Sequence, residues 1–461
     1  MDSLYQLSIL EAKEGIKKGS FSREELVKSV LSRIEEVEPK LNSFVSVNKE
    51  AVKDARKKDQ EKEDKALSGI PVAIKEVLST IDIKTTASSR VLENYYPAYD
   101  ATVVAKLKEN GAILIGKTNC DAFAFGASTE NSGFGVSKNP YDLERVPGGS
   151  SGGSASAVAA GETIFALGTD TGGSIRQPAS FCSITGLKPT YGACSRYGLL
   201  AMASSLDCPG PMTKTAEDAE TVFNLIKGKD PKDATSVDFP EKKLQTGKIR
   251  IGLPKEYFSD GIDKEVKEAV LKAVKSFPEK DFEFTYVSLP NTGYAIEVYY
   301  IITPSEISSN MARYDGIRFG KERKYFEDEV KRRIMLGTYT LSAGYIDQFY
   351  LKASKVRRLI TNDLENAFKK VDLIIGPVSP TPPFKIGEKT DDPLKMYLGD
   401  ILTASANLAG IPGISVPCGF ADKGLPIGMQ IMGPRFSEEL IFFVSKTFQT
   451  LTNWHKARPK I

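Results

Sequence analysis

Short apolar runs alternate with amphipathic helical stretches along most of this chain, and that alternation restricts it to a sheet covered by helices. Near the start, Ser22-x-x-Glu25 has the form of a capping box, and Leu26, Val27, Val30, Leu31, Ile34 and Val37 follow at helical spacing. Ile70–Ile74 reads as a short strand ending at Lys75, and Ala112–Ile115 as another, preceded by a helical segment over Val103–Lys108. Later strands are predicted at Ile249–Leu253, Phe284–Leu289, Asp372–Ile375, Ile414–Cys418 and Ile427–Met432, with a helix over Asp263–Phe277. The segment Lys227–Gly247 is rich in Lys, Asp and Pro, but strand patterns resume beyond it, so it reads as a surface excursion. The expectation is one large α/β domain over residues 1–461, with a mixed central β-sheet and helices on both faces. Within it, residues 1–66 form a helical part, 67–220 carry the motifs below, and 221–461 complete the sheet.

Composition narrows the function. With 41% hydrophobic and 26% charged residues, the chain can bury a large core. Its 62 Lys and Arg against 59 acids leave a formal charge of +3, with no long basic run or basic–aromatic stripe to suggest direct nucleic-acid binding. The five cysteines are odd in number, widely spaced and without a Cys-x-x-Cys pair. They read as buried thiols of a reducing compartment, with no metal site expected. The start, Met1-Asp-Ser-Leu-Tyr-Gln, lacks a basic n-region and apolar h-segment, and no apolar run nears the roughly 20 residues that span a bilayer. A cytoplasmic protein with no membrane partner is the expectation.

Several motifs compete for the chemistry. Gly111-x-x-x-x-Gly116-Lys117-Thr118 fits the phosphate-binding P-loop expression, but its variable positions, Ala-Ile-Leu-Ile, make a strand and not a loop. Ser46-Val-Asn-Lys49 matches Ser-x-x-Lys without the companion motifs that give it meaning. Gly148-x-Ser150-x-Gly152 has the form of a nucleophile elbow, yet the residues before it, Lys138–Pro147, are polar and broken by two prolines, so no strand delivers Ser150. The single histidine, His455, lies in a polar C-terminal tail and reads as a surface or end-packing residue.

A second serine is better placed. Thr163–Thr169 reads as a buried strand running into Asp170-Thr-Gly-Gly-Ser174. Two glycines before a serine allow successive N–H groups to converge beside the hydroxyl, as in an oxyanion hole; the same residues also suit a plain glycine-rich turn. With no histidine at hand, the available bases are carboxylates, Tyr and Lys. Lys75, at the end of an apolar strand, is a candidate whose ammonium desolvation would bring its pKa down; a strand-end lysine reaching solvent is the plainer alternative.

Together these segments resemble the amidase signature family. The likeness rests on Gly69-Ile-Pro-Val-Ala-Ile-Lys75, Gly148-Gly-Ser-Ser-Gly-Gly-Ser154 and Gly168-Thr-Asp-Thr-Gly-Gly-Ser-Ile-Arg176, with 24 residues from Ser150 to Ser174. The resemblance implies a Ser-cisSer-Lys triad: Ser174 the nucleophile, Ser150 a proton relay after a cis Gly149–Ser150 peptide, and Lys75 the base. It also implies that the N–H groups of Thr171, Gly172 and Gly173 form the oxyanion hole.

Within the family the chain is similar to the glutaminase branch that serves glutamyl-tRNA(Gln) amidotransferases, through stretches such as Gly186-Leu-Lys-Pro-Thr-Tyr-Gly192, Lys331-Arg-Arg-Ile-Met-Leu-Gly337 and Trp454-His-Lys456. That likeness implies hydrolysis of glutamine to supply ammonia, with B and C subunits as partners. ATP, Mg and most contact with tRNA would belong to the B subunit, and no cofactor to this chain. Taken alone, Arg333 and Asp400 read as solvated surface charges. The branch motifs instead imply that Arg333 binds the α-carboxylate of glutamine and Asp400 its α-ammonium, with Tyr300 beside them. The chain departs from the branch at Glu76-Val77, where Asp-Asn is usual, at Ser183, where glycine is usual, at Cys208-Pro209, and in a short segment between Gly320 and Glu329. A stand-alone amidase acting on another small amide and a catalytically idle assembly protein are the alternative readings.

Overall fold

Eleven strands join into one sheet in the computed structural model, which describes residues 3–61, 65–240, 247–318 and 320–461. They are β1 (Phe44–Val47), β2 (Pro71–Lys75), β3 (Ile113–Thr118), β4 (Phe165–Asp170), β5 (Thr185–Lys188), β6 (Cys208–Thr213), β7 (Ile249–Pro254), β8 (Phe282–Val287), β9 (Leu373–Pro377), β10 (Gly413–Ala421) and β11 (Leu425–Met432). Their order is β1-β3-β2-β4-β6-β5-β10-β11-β9-β7-β8. The sheet is mixed: β2 runs parallel to β3 and β4, β7 runs parallel to β8 and β9, and the remaining pairs are antiparallel.

β2, β4, β9 and β11 are buried along their whole length, as strands sandwiched between helices must be. The capping box forms as expected. Ser22 Oγ accepts from the Glu25 N–H at 3.0 Å, and Glu25 Oε2 accepts from the Ser22 N–H at 2.7 Å. The helix Arg23–Leu41 then buries Leu26, Val27, Val30, Ile34 and Val37 against the core. Residues of the P-loop expression lie in β3, which confirms a strand where a phosphate cradle would need a loop.

The structure differs from the sequence expectation at several points, beginning with β1 and β5, where no strand was predicted. β8 starts and ends two residues early, because Pro290 opens a 3₁₀ turn that closes off the strand. β6 was not foreseen either, its two prolines and glycine arguing locally against a strand. It pairs with β4 from Cys208 to Met212, while its ladder to β5 engages only Met212 and Thr213. That leaves room on one edge for Pro209 and Pro211, which have no N–H to give. The described part of the Lys227–Gly247 excursion is anchored and not free on the surface. Asp230 accepts from Thr102 Oγ1 at 2.5 Å and Ser195 Oγ at 2.6 Å, and Asp233 pairs with Arg196 at 2.8 Å. Residues 241–246 lie outside the described residues.

A second apolar core lies beside the one built on the sheet. The helices Ala295–Met311, Asp328–Leu341 and Lys352–Ala367 bury Tyr299, Ile302, Val330 and Ile360 in it, together with Phe123 and Phe326. This helical layer carries Tyr300 and Arg333. All five cysteines are free and buried. His455 sits in the turn Trp454–Lys456 against β10, nearly buried, and burial first, then Lys456 and Arg458, push its pKa down to about 4. It is an end-packing residue. Among the described residues no helix is long and apolar enough to cross a membrane.

One departure has a measurable consequence. Ser183 follows the helix Arg176–Phe181 and its cap Cys182, and adopts φ +53°, the left-handed conformation in which such helices often end at glycine. An L-residue there costs about 1–2 kcal/mol, part of which glycine returns through its freer unfolded chain. Ser183→Gly is therefore expected to stabilise the protein by about 1 kcal/mol in urea denaturation. An unchanged or lowered midpoint would show that the backbone at this turn is unstrained.

Candidate active site

The register of the sheet creates the site. β2 lies beside β4 with Ile74 opposite Leu167, so Lys75 emerges at the strand end next to Thr169. Lys75 is fully buried, and its Nζ lies 2.8 Å from Ser150 Oγ, 2.8 Å from Ser151 Oγ and 2.9 Å from Thr169 Oγ1. The alternative of a solvated strand-end lysine is thereby removed. Burial pushes the ammonium down to about 8, against the upward pull of Cys120, Asp121, Asp170 and Asp207. A lysine so placed reaches its neutral form within a unit or so of neutral pH and then has a lone pair to accept a proton.

Ser150 lies in a loop, as its polar and proline-broken approach required. The Gly149–Ser150 peptide is cis, as the resemblance implied. The loop is held from several sides: the Gly149 N–H donates to Gln177 Oε1 at 2.9 Å, Thr129 Oγ1 donates to the Gly148 carbonyl at 2.8 Å, and Gln177 Nε2 donates to the Ala127 carbonyl at 3.0 Å. The helix Gly152–Ala160 starts directly after it.

Ser174 is delivered by β4 through Thr171, Gly172 and Gly173. Both glycines are sterically required. A Cβ on Gly172 would lie 2.5 Å from the Tyr299 ring, and Gly173 combines φ +148° with a would-be Cβ 2.3 Å from Thr403 Oγ1. The turn is fixed by Thr171 Oγ1 donating to Asp207 at 2.7 Å and Thr403 Oγ1 donating to the Gly172 carbonyl at 2.6 Å. Asp170 accepts from the backbone N–H groups of Ile175 and Arg176, and the Arg176 guanidinium pairs with it at 3.1 Å. Burial works against this carboxylate, but Arg176, Lys188 and Asn407 overcome it and hold its pKa near about 2. No described residue accepts from the N–H groups of Thr171, Gly172, Gly173 or Ser174. Uncommitted donors on one turn are what an oxyanion hole consists of.

The Ser174 hydroxyl makes no hydrogen bond to a described residue, and Ser174 is 8% exposed where Ser150 and Lys75 are sealed. The two serine segments are joined through the backbone, the Ser151 N–H donating to the Ser174 carbonyl at 3.2 Å. The Lys75–Ser150 half of the implied relay is therefore formed, and the Ser174 hydroxyl stands free on the accessible side.

Arg333 and Asp400 are not surface charges. Both are buried, Arg333 at 2% and Asp400 at 6% exposure. Tyr300 hydroxyl donates to Asp400 Oδ2 at 3.3 Å, and Arg333 lies over the Tyr300 ring at 5.2 Å. A Cβ on Gly173 would be 3.4 Å from Asp400 Oδ1, so this cluster borders the Ser174 turn. Burial pushes the Asp400 carboxyl up to about 7, with Arg333 opposing. A cavity of about 230 Å³ opens beside Arg333, lined also by Ser128, Glu329, Lys389, Met396 and Tyr397. Ser128 ties it to the cis peptide, because a Cβ on Gly149 would meet the Ser128 N at 2.5 Å.

Sequence reasoning missed Ser151, Thr169, Gln177, Glu329 and Tyr397. Ser151 stood in the same glycine–serine run as Ser150, and Glu329 one turn before Arg333, so proximity in sequence was the available signal. Gln177 and Thr169 act through strand and loop packing that no local pattern reveals.

The amidase family profile matches residues 25–442. The chain is 54% identical to the A-type subunit of glutamyl-tRNA(Gln) amidotransferase from Carboxydothermus hydrogenoformans, over 99% of this chain and 100% of that one. It is 53% identical to the protein of the same name from Thermoanaerobacter pseudethanolicus, over 99% and 98%. Among solved structures, the corresponding glutamyl-tRNA(Gln) amidotransferase chain of Thermotoga maritima superposes with a TM-score of 0.82 at 43% identity, covering 95% of this chain and 93% of that one. A peptide amidase from Stenotrophomonas maltophilia superposes with a TM-score of 0.86 at 26% identity, over 100% and 99%. With a buried lysine on a serine after a cis peptide, a second serine on a glycine turn and this full-length likeness, the chain belongs to the amidase signature family.

Proposed function

We propose that this chain is the glutamine-hydrolysing subunit of a glutamyl-tRNA(Gln) amidotransferase, using Ser174 as nucleophile, Ser150 as relay and Lys75 as base. The observation that carries the substrate assignment is that a cation and an anion, Arg333 and Asp400, are both buried around Tyr300, with Asp400 bordering the Ser174 turn. A free amino acid presents a carboxylate and an ammonium on one carbon, and a cation and an anion set together match it. An amidase for uncharged amides has no use for a buried cation and anion at this place, which are costly to desolvate.

In the proposed reaction, neutral Lys75 takes the Ser150 proton as Ser150 takes that of Ser174, and the Ser174 oxygen attacks the side-chain carbonyl carbon of glutamine. The Thr171, Gly172 and Gly173 N–H groups, with that of Ser174 beside them, receive the oxyanion. The proton returns through Ser150 to the leaving nitrogen, so ammonia departs and a glutamyl ester remains on Ser174. Water, deprotonated through the same relay, then releases glutamate. The ammonia passes to a B subunit, which activates glutamyl-tRNA with ATP and Mg²⁺, while a C subunit joins the two; this chain needs no cofactor of its own.

The test is kinetic. Arg333→Ala or Asp400→Ala should each raise the KM for glutamine at least about tenfold, since a charge-assisted hydrogen bond contributes about 1.5–3 kcal/mol. Labelling of Ser174 by a small uncharged acylating reagent reports whether the triad remains assembled. Wild-type KM in both variants would turn the reading toward a stand-alone amidase.

A further inference from the structure

Arg333 can seat a carboxylate only if its guanidinium is held with the right edge outward, and the surroundings of that edge are on view. Of its five N–H donors, the one on Nε is taken by Glu329 Oε1 at 2.8 Å, while its terminal amino groups have no acceptor among the described residues. Glu329 lies one helical turn before Arg333 on Asp328–Leu341, 7% exposed, and lines the same cavity. Its carboxylate is itself fixed by three donors: Arg333 through Oε1, the Tyr397 hydroxyl at 3.2 Å through the same oxygen, and Arg332 through Oε2. Tyr397 in turn stacks on Tyr300 with ring centroids 3.7 Å apart, and the guanidinium carbon lies 5.2 Å from the Tyr300 centroid and 5.6 Å from that of Tyr397. Phe125, at 5.8 Å, adds a third ring.

We infer that Glu329 and Tyr397 are positioning residues for α-carboxylate recognition: they occupy the Nε edge of Arg333 and leave its terminal amino groups as the seat for an amino-acid carboxylate. This deepens the glutamine reading of the pocket and rests on it. The physical reason is geometric. A guanidinium is a rigid planar fork, so pinning one edge and its faces fixes the direction of the other. Glu329 also supplies the charge that lets a cation remain buried when no substrate is present. The rings of Tyr300, Tyr397 and Phe125 hold the cation from its faces while contributing no competing acceptor to the terminal amino groups.

The consequence is specific to substrates that carry an α-carboxylate. In the full-length chain, Glu329→Gln should raise the KM for glutamine about tenfold or more, the worth of one charge-assisted hydrogen bond, with kcat retained. Tyr397→Phe, which keeps the stack and removes only the hydroxyl, should raise it about threefold to tenfold. Hydrolysis of propionamide, which has no carboxylate, should proceed at the wild-type kcat/KM in both variants. An unaltered glutamine KM in Glu329→Gln overturns the inference. So does a parallel loss with propionamide, which would mark Glu329 as a support of the fold alone. Arg333→Ala serves as the separate control: if it leaves the glutamine KM untouched, the pocket reading itself falls, whereas a raised KM there with no effect at Glu329 refutes only the positioning role.

Discussion

Ser174→Ala is expected to reduce glutamine hydrolysis by about 10⁴-fold or more and to abolish the glutamyl ester, as loss of the nucleophile does in other serine acyl-transfer enzymes. The expectation follows from three features of the turn after β4: the free Ser174 hydroxyl, the uncommitted N–H groups of Gly172, Gly173 and Ser174, and the two glycines that no larger residue can replace. Alanine removes only an oxygen, so the packing of Gly173 on Thr403 and of Asp170 on Arg176 remains. Acid quenching with glutamine present, followed by intact-mass analysis, should show an adduct on the wild-type chain and none on the variant. An adduct on the variant would place the nucleophile elsewhere, with Ser150 or Ser151 the next residues to examine.

Lys75→Arg should be inactive to a similar degree, within about tenfold of the Ser174 variant, although the charge is kept. A guanidinium does not release its proton in the accessible pH range, and so has no lone pair to offer Ser150. The wild-type chain should carry the matching pH signature. Its lysine is drawn down to about 8 by burial, so the neutral, proton-accepting form grows as pH rises through that value. The kcat/KM for propionamide, a substrate with no ionising group of its own, should therefore climb with unit slope below about 8 and level off above it. A profile flat from pH 6 to 9, or near-normal turnover in Lys75→Arg, would mean that another group takes the proton. Thermal melts of the variant separate this from misfolding, because Lys75 sits among Ser150, Ser151 and Thr169 with no spare room.

Local patterns alone carried much of the fold. The capping box at Ser22, the strands around Ile74, Ile251 and Ile431, and the strand leading to Ser174 were all legible, because burial on both faces forces continuous apolar runs and helix ends demand particular caps. The same reasoning correctly set aside the P-loop expression and kept a strand away from Ser150. The spacing of Lys75, Ser150 and Ser174 pointed to the triad only through resemblance; elimination of histidine left the base open among several residue types.

Tertiary structure settled what spacing could not. β6 exists because β4 offers a ladder that outweighs two prolines, a competition between backbone pairing and local preference that no window of sequence contains. Whether Lys75 is buried or solvated depends on β4 lying beside β2, which places Thr169 and the serine loop around its ammonium. Arg333 and Asp400 read as surface charges in isolation and are both buried because a helical layer and a short turn, 67 residues apart in the chain, meet around Tyr300. Residue types and local periodicity were enough to define the strands and the reactive groups. The environment that gives those groups their protonation states and free donors comes from contacts between distant segments, because desolvation and charge pairing act through space and leave no mark on neighbouring sequence.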